Sequence, residues 1–363
     1  MKIGVIGGGQ LGQMLALAAY PLGMEVICYE RDPDCPAALV TEVVVGSYDD
    51  GEKLRAFANK VDVITYEFEN VPVSSLQLLI ENESTDIYPP LPALAVSQDR
   101  LAEKDFFTKV DVPTTKYIAV NSFSELQAAV AQIGLPAVLK TRRMGYDGKG
   151  QCVLRTVADV ELAWTKLQGQ ELLLENFLAF EREVSCIAVR SIKGEIEFYP
   201  LVENHHHEGI LRVSEALIAE DKMTQLAQKY VTRVLQELNY VGVLAIEFFQ
   251  KDRKLIANEM APRVHNSGHW TIEGAQTSQF ENHLRAIAGL PLGMTKAVTR
   301  TAMVNFISDL PELASVLKIP GTHFHTYGKQ ARPGRKLGHV TLCLHEEKPY
   351  TENLKQLMGL VCN

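Results

Sequence analysis

Short apolar runs alternate with segments of helical periodicity over the N-terminal part of the chain. The run from Lys2 to Ile6 is of β type, and Gln13 to Leu22 repeats its apolar residues at helical spacing. This alternation predicts a parallel sheet covered by helices on both faces, which is a Rossmann-like α/β domain. We place the end of this domain at residue 96, after the proline-rich segment 88–92. Further β-type runs and one helical stretch are predicted at 25–30, 43–45, 51–59 and 61–66.

After residue 96 the pattern becomes typical of antiparallel pairing. A helix is predicted over 97–110 with Ser97 as its N-cap, and short β-type runs joined by polar or glycine turns follow it. This mixture predicts an α+β domain over 97–298. The β-type runs that follow predict a small C-terminal β-rich unit over 299–363.

Composition excludes several classes of protein. The net charge of −8 and the pI near 5.7 argue against a nucleic-acid or membrane-surface partner. No run approaches the roughly 20 apolar residues of a membrane span, and the N-terminus lacks the features of a signal peptide. The six cysteines are scattered without CxxC spacing, which is typical of reduced thiols in a cytoplasmic protein. We therefore expect a cytoplasmic protein that acts on small molecules.

A first glycine turn, Gly7-x-Gly9-x-x-Gly12, follows the first predicted strand and opens a helix, and Glu30 ends the next strand. This context satisfies the dinucleotide-binding fingerprint. A glycine turn of this kind, however, guarantees only that backbone amides at a helix N-terminus can approach an anion. A dinucleotide, another anionic ligand and a purely structural turn all remain open on this motif alone.

A second glycine-rich loop runs from Lys140 to Gln151 between two predicted strands. It is not a Walker P-loop, because no Gly-Lys-Ser/Thr ends it and no helix follows. A flexible glycine hairpin with Lys140 at its base suits a lid whose amides close over a polyphosphate. The alternative is a mobile basic hairpin without a ligand.

Two carboxylates lie in an otherwise apolar hairpin. Glu247 is in the run Leu244–Phe249, and Glu259 follows Asn258 at the end of the expected partner strand. Each acid alone would suit a surface position, but two together in apolar surroundings need a counter-charge. Magnesium bound to phosphate oxygens supplies one, since it prefers one or two carboxylates besides substrate oxygens.

The run from Glu203 to Glu208 contains three consecutive histidines. It suggests a transition-metal site, but three successive imidazoles of a strand cannot all point one way. A solvated turn is the prediction we favour for this segment.

Several segments together carry a resemblance to the ATP-grasp superfamily. Within it, they resemble the N5-carboxyaminoimidazole ribonucleotide synthetase family over essentially the whole chain. The glycine lid and the Ala-Pro-Arg-x-His-Asn-Ser-Gly-His motif are the most specific of them. The segments that carry the resemblance are Gly8–Gly12, Tyr66–Glu69, Gly145–Gln151, Ala261–His269 and Arg332–His339, together with Arg100, Lys140, Glu175–Leu178, Glu183, Glu247 and Asn258-Glu259.

The resemblance implies an ATP site between two sheets in an ATP-grasp domain over 97–298. The glycine lid would lie within about 112–180 of that domain. Glu175 and the Leu178 backbone would read the adenine edge, and Glu183 would accept from ribose hydroxyls. Glu247 and Glu259 would ligate Mg2+, and Lys140 would also offset charge during catalysis. The residues implied to bind ATP are Arg100, Lys140, Gly145, Tyr146, Asp147, Gly148, Lys149, Gly150, Gln151, Glu175, Asn176, Phe177, Leu178, Glu183, His206, Asn258 and Glu259.

The resemblance also implies a carboxylation of aminoimidazole ribonucleotide with ATP and bicarbonate, through carboxyphosphate, in a homodimer. Arg263, His265 and Asn266 would orient bicarbonate. The residues implied to bind the ribonucleotide are Gln10, Leu11, Glu67, Tyr146, Asp147, Lys149, Arg332, Arg335 and Lys336.

Three other functions would explain parts of the sequence. A nicotinamide-dependent oxidoreductase would rest on the first glycine turn and Glu30, but it leaves the lid and the carboxylate pair unexplained. A related ligase, such as a formate-activating enzyme or a biotin carboxylase, shares the lid, although no biotin-acceptor Met-Lys-Met segment occurs here. A nucleotide-binding regulator is disfavoured because no expected phosphate or metal residue is missing. We therefore expect neither NAD nor biotin as a cofactor.

Overall fold

A computed structural model describes residues 1–81, 85–145, 148–218 and 222–361. It contains three sheets, with five, nine and four strands. The strands are β1 Lys2–Ile6, β2 Glu25–Glu30, β3 Glu42–Val45, β4 Val63–Tyr66, β5 Asp86–Ile87, β6 Tyr117–Val120, β7 Ala137–Thr141, β8 Gln151–Leu154, β9 Leu172–Asn176, β10 Arg182–Arg190, β11 Ile196–Phe198, β12 Val202–His207, β13 Ile210–Ala216, β14 Gly242–Lys251, β15 Lys254–Ala261, β16 Arg300–Ile307, β17 Thr322–Thr326 and β18 Lys336–Leu344.

The helices lie between these strands and at the C-terminus. No helix of the described residues is both long enough and apolar enough to cross a membrane. The helices are α1 Gln10–Ala19, α2 Gly51–Ala58, α3 Val73–Glu81, α4 Leu91–Ser97, α5 Arg100–Lys109, α6 Phe123–Ile133, α7 Val157–Leu167, α8 Lys222–Glu237, α9 Thr271–Gly274, α10 Gln279–Ile287, α11 Leu313–Leu317 and α12 Glu347–Val361.

The N-terminal sheet is parallel, with the order β3-β2-β1-β4-β5. Its strands are apolar on both faces: Val26 and Cys28 belong to one hydrophobic cluster, whereas Ile27 and Tyr29 belong to another. Continuous apolar runs are required where helices cover both faces of a sheet. The predicted Rossmann-like α/β domain is therefore confirmed.

The other two sheets are antiparallel, as the α+β prediction requires. The four-stranded sheet has the order β6-β9-β7-β8, and the buried apolar residues of α6 and α7 pack with it in one cluster. The large sheet has the order β15-β14-β10-β12-β13-β16-β18-β17, with β11 beside β10. The lid-bearing loop joins β7 to β8 of the small sheet.

The C-terminal strands extend the large sheet, since β16 pairs with β13 through Val213 and Val304. A cluster that includes Val213, Val304 and Tyr350 joins both sides of this pairing. Apolar periodicity indicated the strands correctly, but it carries no information on which partner edge they use. The β-rich unit is thus continuous with the preceding sheet.

The helix predicted over 97–110 begins later than expected. Asp99, rather than Ser97, is the N-cap of α5, and its carboxylate accepts a hydrogen bond from the Leu101 amide at 3.0 Å. Ser97 instead ends α4, where its hydroxyl donates to the Leu94 carbonyl. Both residue types are good N-caps, but only the Asp99 side chain accepts a hydrogen bond from the first turn of α5.

A buried histidine links the N-terminal sheet to the large sheet. The side chain of His283 hydrogen-bonds Thr65 through Nε2 at 2.8 Å and accepts from the Val243 amide through Nδ1 at 3.1 Å. Burial lowers the pKa of His283 to about 4. The imidazole is therefore neutral in the folded protein at pH 7, and Nδ1 is its acceptor.

We expect this imidazole to make folding stability depend on acid. An unfolded histidine binds a proton below about pH 6.5, whereas folded His283 does not until about pH 4. Its contribution is therefore complete above pH 6.5 and is lost as pH falls towards 4, by about 1.4 kcal/mol per pH unit. Urea unfolding at several pH values measures this slope. His283→Gln should be less stable at pH 7.5 but should show a shallower slope, and an unchanged slope would contradict the assignment.

Candidate active site

A cavity of about 420 Å3 lies between the small sheet and the large sheet. Its volume is within the range of small-molecule sites. The predicted site residues that line it are Arg100, Lys140, Gly148, Gln151, Glu175, Asn176, Phe177, Leu178, Glu183, His206, Glu247, Asn258, Glu259, His265, Asn266 and Lys336.

One part of the cavity wall is apolar and flat. Phe180 and Phe249 stack with ring centroids 4.6 Å apart and an interplanar angle of 16°. Val138 and Val153 of the small sheet and Phe177 line the same cavity. Apolar side chains of this kind can bind a planar aromatic base by stacking and burial.

Two cations lie at the base of the lid. Lys140 Nζ is 2.9 Å from Glu175 Oε1, and the Arg100 guanidinium donates to the Thr141 carbonyl at 3.2 Å. Arg100 is also 3.8 Å from the Glu259 carboxylate. The first helical turn of α5 and the end of β7 thus present two positive charges to one cavity.

The Glu175 carboxylate is only 2% exposed, and protein groups engage both of its oxygens. Lys104 Nζ is 3.3 Å from Oε2, to which the Thr115 hydroxyl also donates at 2.5 Å. Burial alone would raise the pKa of this carboxyl, but Lys140 and Lys104 hold it well below its usual range. Glu175 is therefore a charged, fully engaged anion beneath the lid.

The two predicted metal-ligating acids are neighbours across two strands. Glu247 of β14 is paired in register with Glu259 of β15, and a register shift follows at Phe248. Burial and the charge of Glu259 raise the pKa of Glu247 to about 7. Repulsion between the two acids adds to the effect of burial on this pKa, so the pair suits a divalent cation.

The histidine run forms a strand, β12, so the predicted solvated turn is wrong. A register shift between His205 and His206 separates their orientations, and His206 faces the cavity while His205 and His207 are exposed. His206 Nδ1 is 2.9 Å from Glu183 Oε2. Ligand atoms of Glu183, His206 and Glu247 lie within 4.8 Å of one another. One imidazole of the run, rather than all three, therefore lies within this cluster of possible ligands.

His265 and Asn266 line the cavity beside the acids. His265 Nε2 is 3.8 Å from Glu247 Oε1, and burial together with the Arg263 charge lowers the pKa of His265 well below its usual value. The Asn266 side chain exchanges hydrogen bonds with that of Asn305, at 3.1 and 2.7 Å. Arg263 is not among the lining residues, and it pairs with Glu69 at 3.0 Å. The site thus offers a neutral imidazole and a fixed amide.

The first glycine turn is occupied by the protein's own carboxylates. The Gly8 amide donates to Glu30 at 2.9 Å, and the Gly9 amide donates to Glu67 at 2.8 Å. These are amides that a dinucleotide pyrophosphate would use, and Glu30 is the acid that would bind a ribose. The geometry therefore favours a structural turn or a ligand that contacts other atoms of it.

Among the predicted ribonucleotide contacts that the structure describes, only Lys336 lines the cavity. The Gln10 side chain accepts from Lys329, and Leu11 is buried in the core. Arg335 donates to the Gln330 carbonyl at 3.2 Å, while Arg332 is exposed.

Only some of the described lid residues line the cavity. Gly148 and Gln151 line the cavity, whereas Gly145, Lys149 and Gly150 do not. A Cβ atom at Gly148 would lie 2.9 Å from the Glu208 carbonyl, so glycine allows the lid to approach the turn between β12 and β13. Tyr146 and Asp147 lie outside the described residues.

Sequence reasoning missed several residues that organise the site. Asp99 binds Arg142 through both carboxylate oxygens, at 2.9 and 2.5 Å, and so ties the start of α5 to the base of the lid. Lys104 and Glu103 lie buried beneath the cavity. Lys104 follows Arg100 by four residues and therefore shares its helix face, which was the available signal.

Comparison with known proteins agrees with this geometry. A model of the ATP-grasp domain matches residues 105–280, a model of the ribonucleotide synthetase preATP-grasp domain matches residues 1–98, and a model of the phosphoribosylaminoimidazole carboxylase C-terminal domain matches residues 301–352. Together with the lid and the paired acids between two sheets, these matches define an ATP-grasp enzyme.

Whole-chain relatives narrow the class. N5-carboxyaminoimidazole ribonucleotide synthase of Pseudomonas aeruginosa is 53% identical over 361 residues, which is 99% of each chain. The crystal structure of N5-carboxyaminoimidazole ribonucleotide synthetase from Thermus thermophilus superposes with a TM-score of 0.94 at 50% identity, over 99% of each chain. An Aspergillus clavatus N5-carboxyaminoimidazole synthase, solved with ADP and 5-aminoimidazole ribonucleotide, superposes with a TM-score of 0.92 at 30% identity, over 99% of this chain and 98% of that one. The chain belongs to the N5-carboxyaminoimidazole ribonucleotide synthase family.

Proposed function

We propose that the protein joins a carboxyl group from bicarbonate to the exocyclic amine of 5-aminoimidazole ribonucleotide, with conversion of ATP to ADP and phosphate. The product is N5-carboxyaminoimidazole ribonucleotide, an intermediate of purine synthesis. One observation carries this proposal: a single cavity brings the lid-base cations Arg100 and Lys140 together with the paired acids Glu247 and Glu259. Family membership supplies the identity of the ribonucleotide.

The nucleotide site follows from the walls of the cavity. The adenine would lie against the apolar wall near Phe177 and the stacked phenylalanines, with Leu178 at its edge. Glu183 and His206 would face the ribose. Arg100 and Lys140 would hold the phosphates under the lid, whose residues 145–151 supply backbone amides. Asn176 and Asn258 line the same space.

The paired acids fit a magnesium ion. Glu247 and Glu259 would hold it, because their mutual repulsion is relieved by a divalent cation and hard oxygen ligands suit Mg2+. When bound there, the ion neutralises charge on the phosphate oxygens. Asn258 precedes Glu259 in β15, and its side chain would lie beside the ion.

Bicarbonate is a weak electrophile, and phosphorylation activates it. One bicarbonate oxygen would attack the γ-phosphorus of ATP, which breaks the bond to ADP and forms carboxyphosphate. Neutral His265, the Asn266 amide and the Arg263 charge would orient bicarbonate for this attack. The amine of the ribonucleotide then forms a bond to the carboxyl carbon, phosphate leaves, and the nitrogen loses a proton. The lid would exclude water that hydrolyses carboxyphosphate.

The ribonucleotide would be held at the side of the cavity where Lys336 lies. Lys336 would pair with its phosphate, and Arg332 and Arg335 would add charge from the same turn. Gln10 and Leu11 would approach it from the first glycine turn, where the Lys329 side chain donates to Gln10. Glu67, which follows β4 and accepts from the Gly9 amide, would lie beside them. Tyr146, Asp147 and Lys149 would contact it from the lid.

The domain boundaries, the oligomeric state and the cellular location are also proposals. The domain division at residues 96 and 298 stays a proposal. We also propose a homodimer, and the exposed apolar side chains of Leu17, Tyr20 and Leu39 support a contact with a second copy. The free described cysteines suit a cytoplasmic location. Sedimentation of the purified protein tests the dimer.

The experiment that tests the reaction is ADP release with magnesium-ATP, bicarbonate and the ribonucleotide, each omitted in turn. Release that requires the ribonucleotide and yields a carboxylated product is expected. A parallel assay replaces ATP with NADH. Nicotinamide turnover without ADP release would mean that the first glycine turn, and not the lid, indicates the function.

A further inference from the structure

Lys104 of α5 is buried directly beneath the cavity, and the reaction described above does not use it. Its side chain is only 1% exposed. Lysine is almost never found at such a position unless its charge is paired, because removal of an ammonium group from water is costly. Its partners therefore indicate what keeps it there.

Lys104 has three partners, which come from both sheets that form the cavity. Its Nζ atom is 3.3 Å from Glu175 Oε2 at the end of β9 in the small sheet. It donates to the carbonyls of Ala257 and Asn258 in β15 of the large sheet, at 3.3 and 3.0 Å. All three ammonium protons thus have an acceptor.

The neighbouring residue adds a second connection to the same strand. The carboxylate of Glu103 accepts a hydrogen bond from the Met260 amide at 2.7 Å, and Glu103 is 2% exposed. Helix α5 therefore binds β15 on both sides of Glu259. The backbone that presents Asn258 and Glu259 to the cavity is fixed from below by this helix.

Lys104 and Lys140 pair with the same carboxylate, so the charge of Lys104 affects how strongly Glu175 holds Lys140. Glu175 carries one negative charge, which Lys104 and Lys140 share. When Lys140 moves to a nucleotide phosphate, Lys104 remains as the counter-ion of Glu175. Without Lys104, the buried Glu175 carboxylate would keep Lys140 as its sole lysine partner among the described residues, since an unpaired buried charge is unfavourable.

We propose that Lys104 is a positioning residue of the nucleotide site: it neutralises Glu175 so that Lys140 can pair with phosphate, and it fixes the β15 backbone that carries Glu259. This inference rests on the proposed role of Lys140 in phosphate binding. Lys104 itself does not line the cavity.

Steady-state kinetics of the full-length protein tests the charge effect. Lys104→Met should raise the KM for magnesium-ATP by about tenfold or more, the scale of a charged hydrogen bond, with the KM for the ribonucleotide within about twofold of wild type. The double variant Lys104→Met, Glu175→Gln should recover most of that loss, because the carboxylate that would retain Lys140 is then neutral. A role limited to fixing β15 predicts no such recovery, because the double variant still lacks the donor to the Ala257 and Asn258 carbonyls.

Two outcomes overturn the inference: an unchanged KM for magnesium-ATP in Lys104→Met, or a double variant no better than Lys104→Met. Should Lys104→Met fail to fold, Lys104→Gln keeps a donor for the carbonyls and removes the charge, and the same outcomes apply to it. Lys140→Met separates the two proposals. If it raises the KM for magnesium-ATP while the Lys104 variants do not, only the role of Lys104 fails; if it does not, the role of Lys140 fails, and this inference with it.

Discussion

Replacement of Glu259 by glutamine should abolish ATP turnover while the protein stays folded. Glu259 faces the cavity beside Glu247, and its side chain is 49% exposed, so loss of its charge leaves no buried defect. Glu259 would be a ligand of the proposed magnesium ion, and its loss would remove several kcal/mol of transition-state stabilisation, which corresponds to a rate loss on the order of 1,000-fold. The free energy of unfolding should change by only about 0.5 kcal/mol. ADP release and urea unfolding measure the two effects.

The matched control is Glu161→Gln, which removes an exposed glutamate of α7 outside the cavity. It should retain the wild-type rate. Glu247→Gln should share the loss of Glu259→Gln, because both acids would ligate one ion. Turnover near the wild-type rate in Glu259→Gln would exclude this acid from the metal site.

Replacement of Lys336 by alanine should act on the ribonucleotide rather than on ATP. Lys336 begins β18 and lines the cavity, where it would pair with the ribose phosphate. A charge-assisted hydrogen bond of this kind contributes about 1.5–3 kcal/mol, so the KM for the ribonucleotide should rise about 10- to 100-fold. The KM for magnesium-ATP should stay within about twofold. Initial rates with one substrate varied at a time measure both constants.

Lys318→Ala provides the control, since Lys318 is an exposed lysine of the C-terminal unit outside the cavity. It should leave both Michaelis constants unchanged. An equal loss of nucleotide binding in Lys336→Ala and Glu259→Gln would refute the proposed division between a ribonucleotide side and a metal side of the cavity.

Sequence periodicity predicted the parallel N-terminal sheet, the antiparallel pairs after it and the C-terminal strands. Each of these depends on a pattern of neighbouring residues. Continuous apolar runs such as Val26–Tyr29 indicated a parallel sheet with two covered faces, and the run Leu244–Phe249 indicated a hairpin. The lid was indicated by glycines that a backbone turn requires. These features depend on residues near one another in the sequence, and the structure confirms the fold class that they predict.

Features that depend on distant partners could not be read from the sequence. The pairing of Glu175 with Lys104 joins residues on different elements, and the Gly9 amide is taken by Glu67, which is 58 positions away. No local pattern shows which of several charged residues will meet in the interior.

The pairing of β16 with β13 also limits how the chain can be divided. If the chain ended at residue 298, β13 would keep β12 on one side but lose β16 on the other, and the edge along 213–215 would expose unpaired amide and carbonyl groups. An open edge of this kind invites pairing with other molecules and aggregation. The β-rich unit therefore protects the sheet edge as well as contributing Lys336, so the catalytic core is not a separable module of the N-terminal residues.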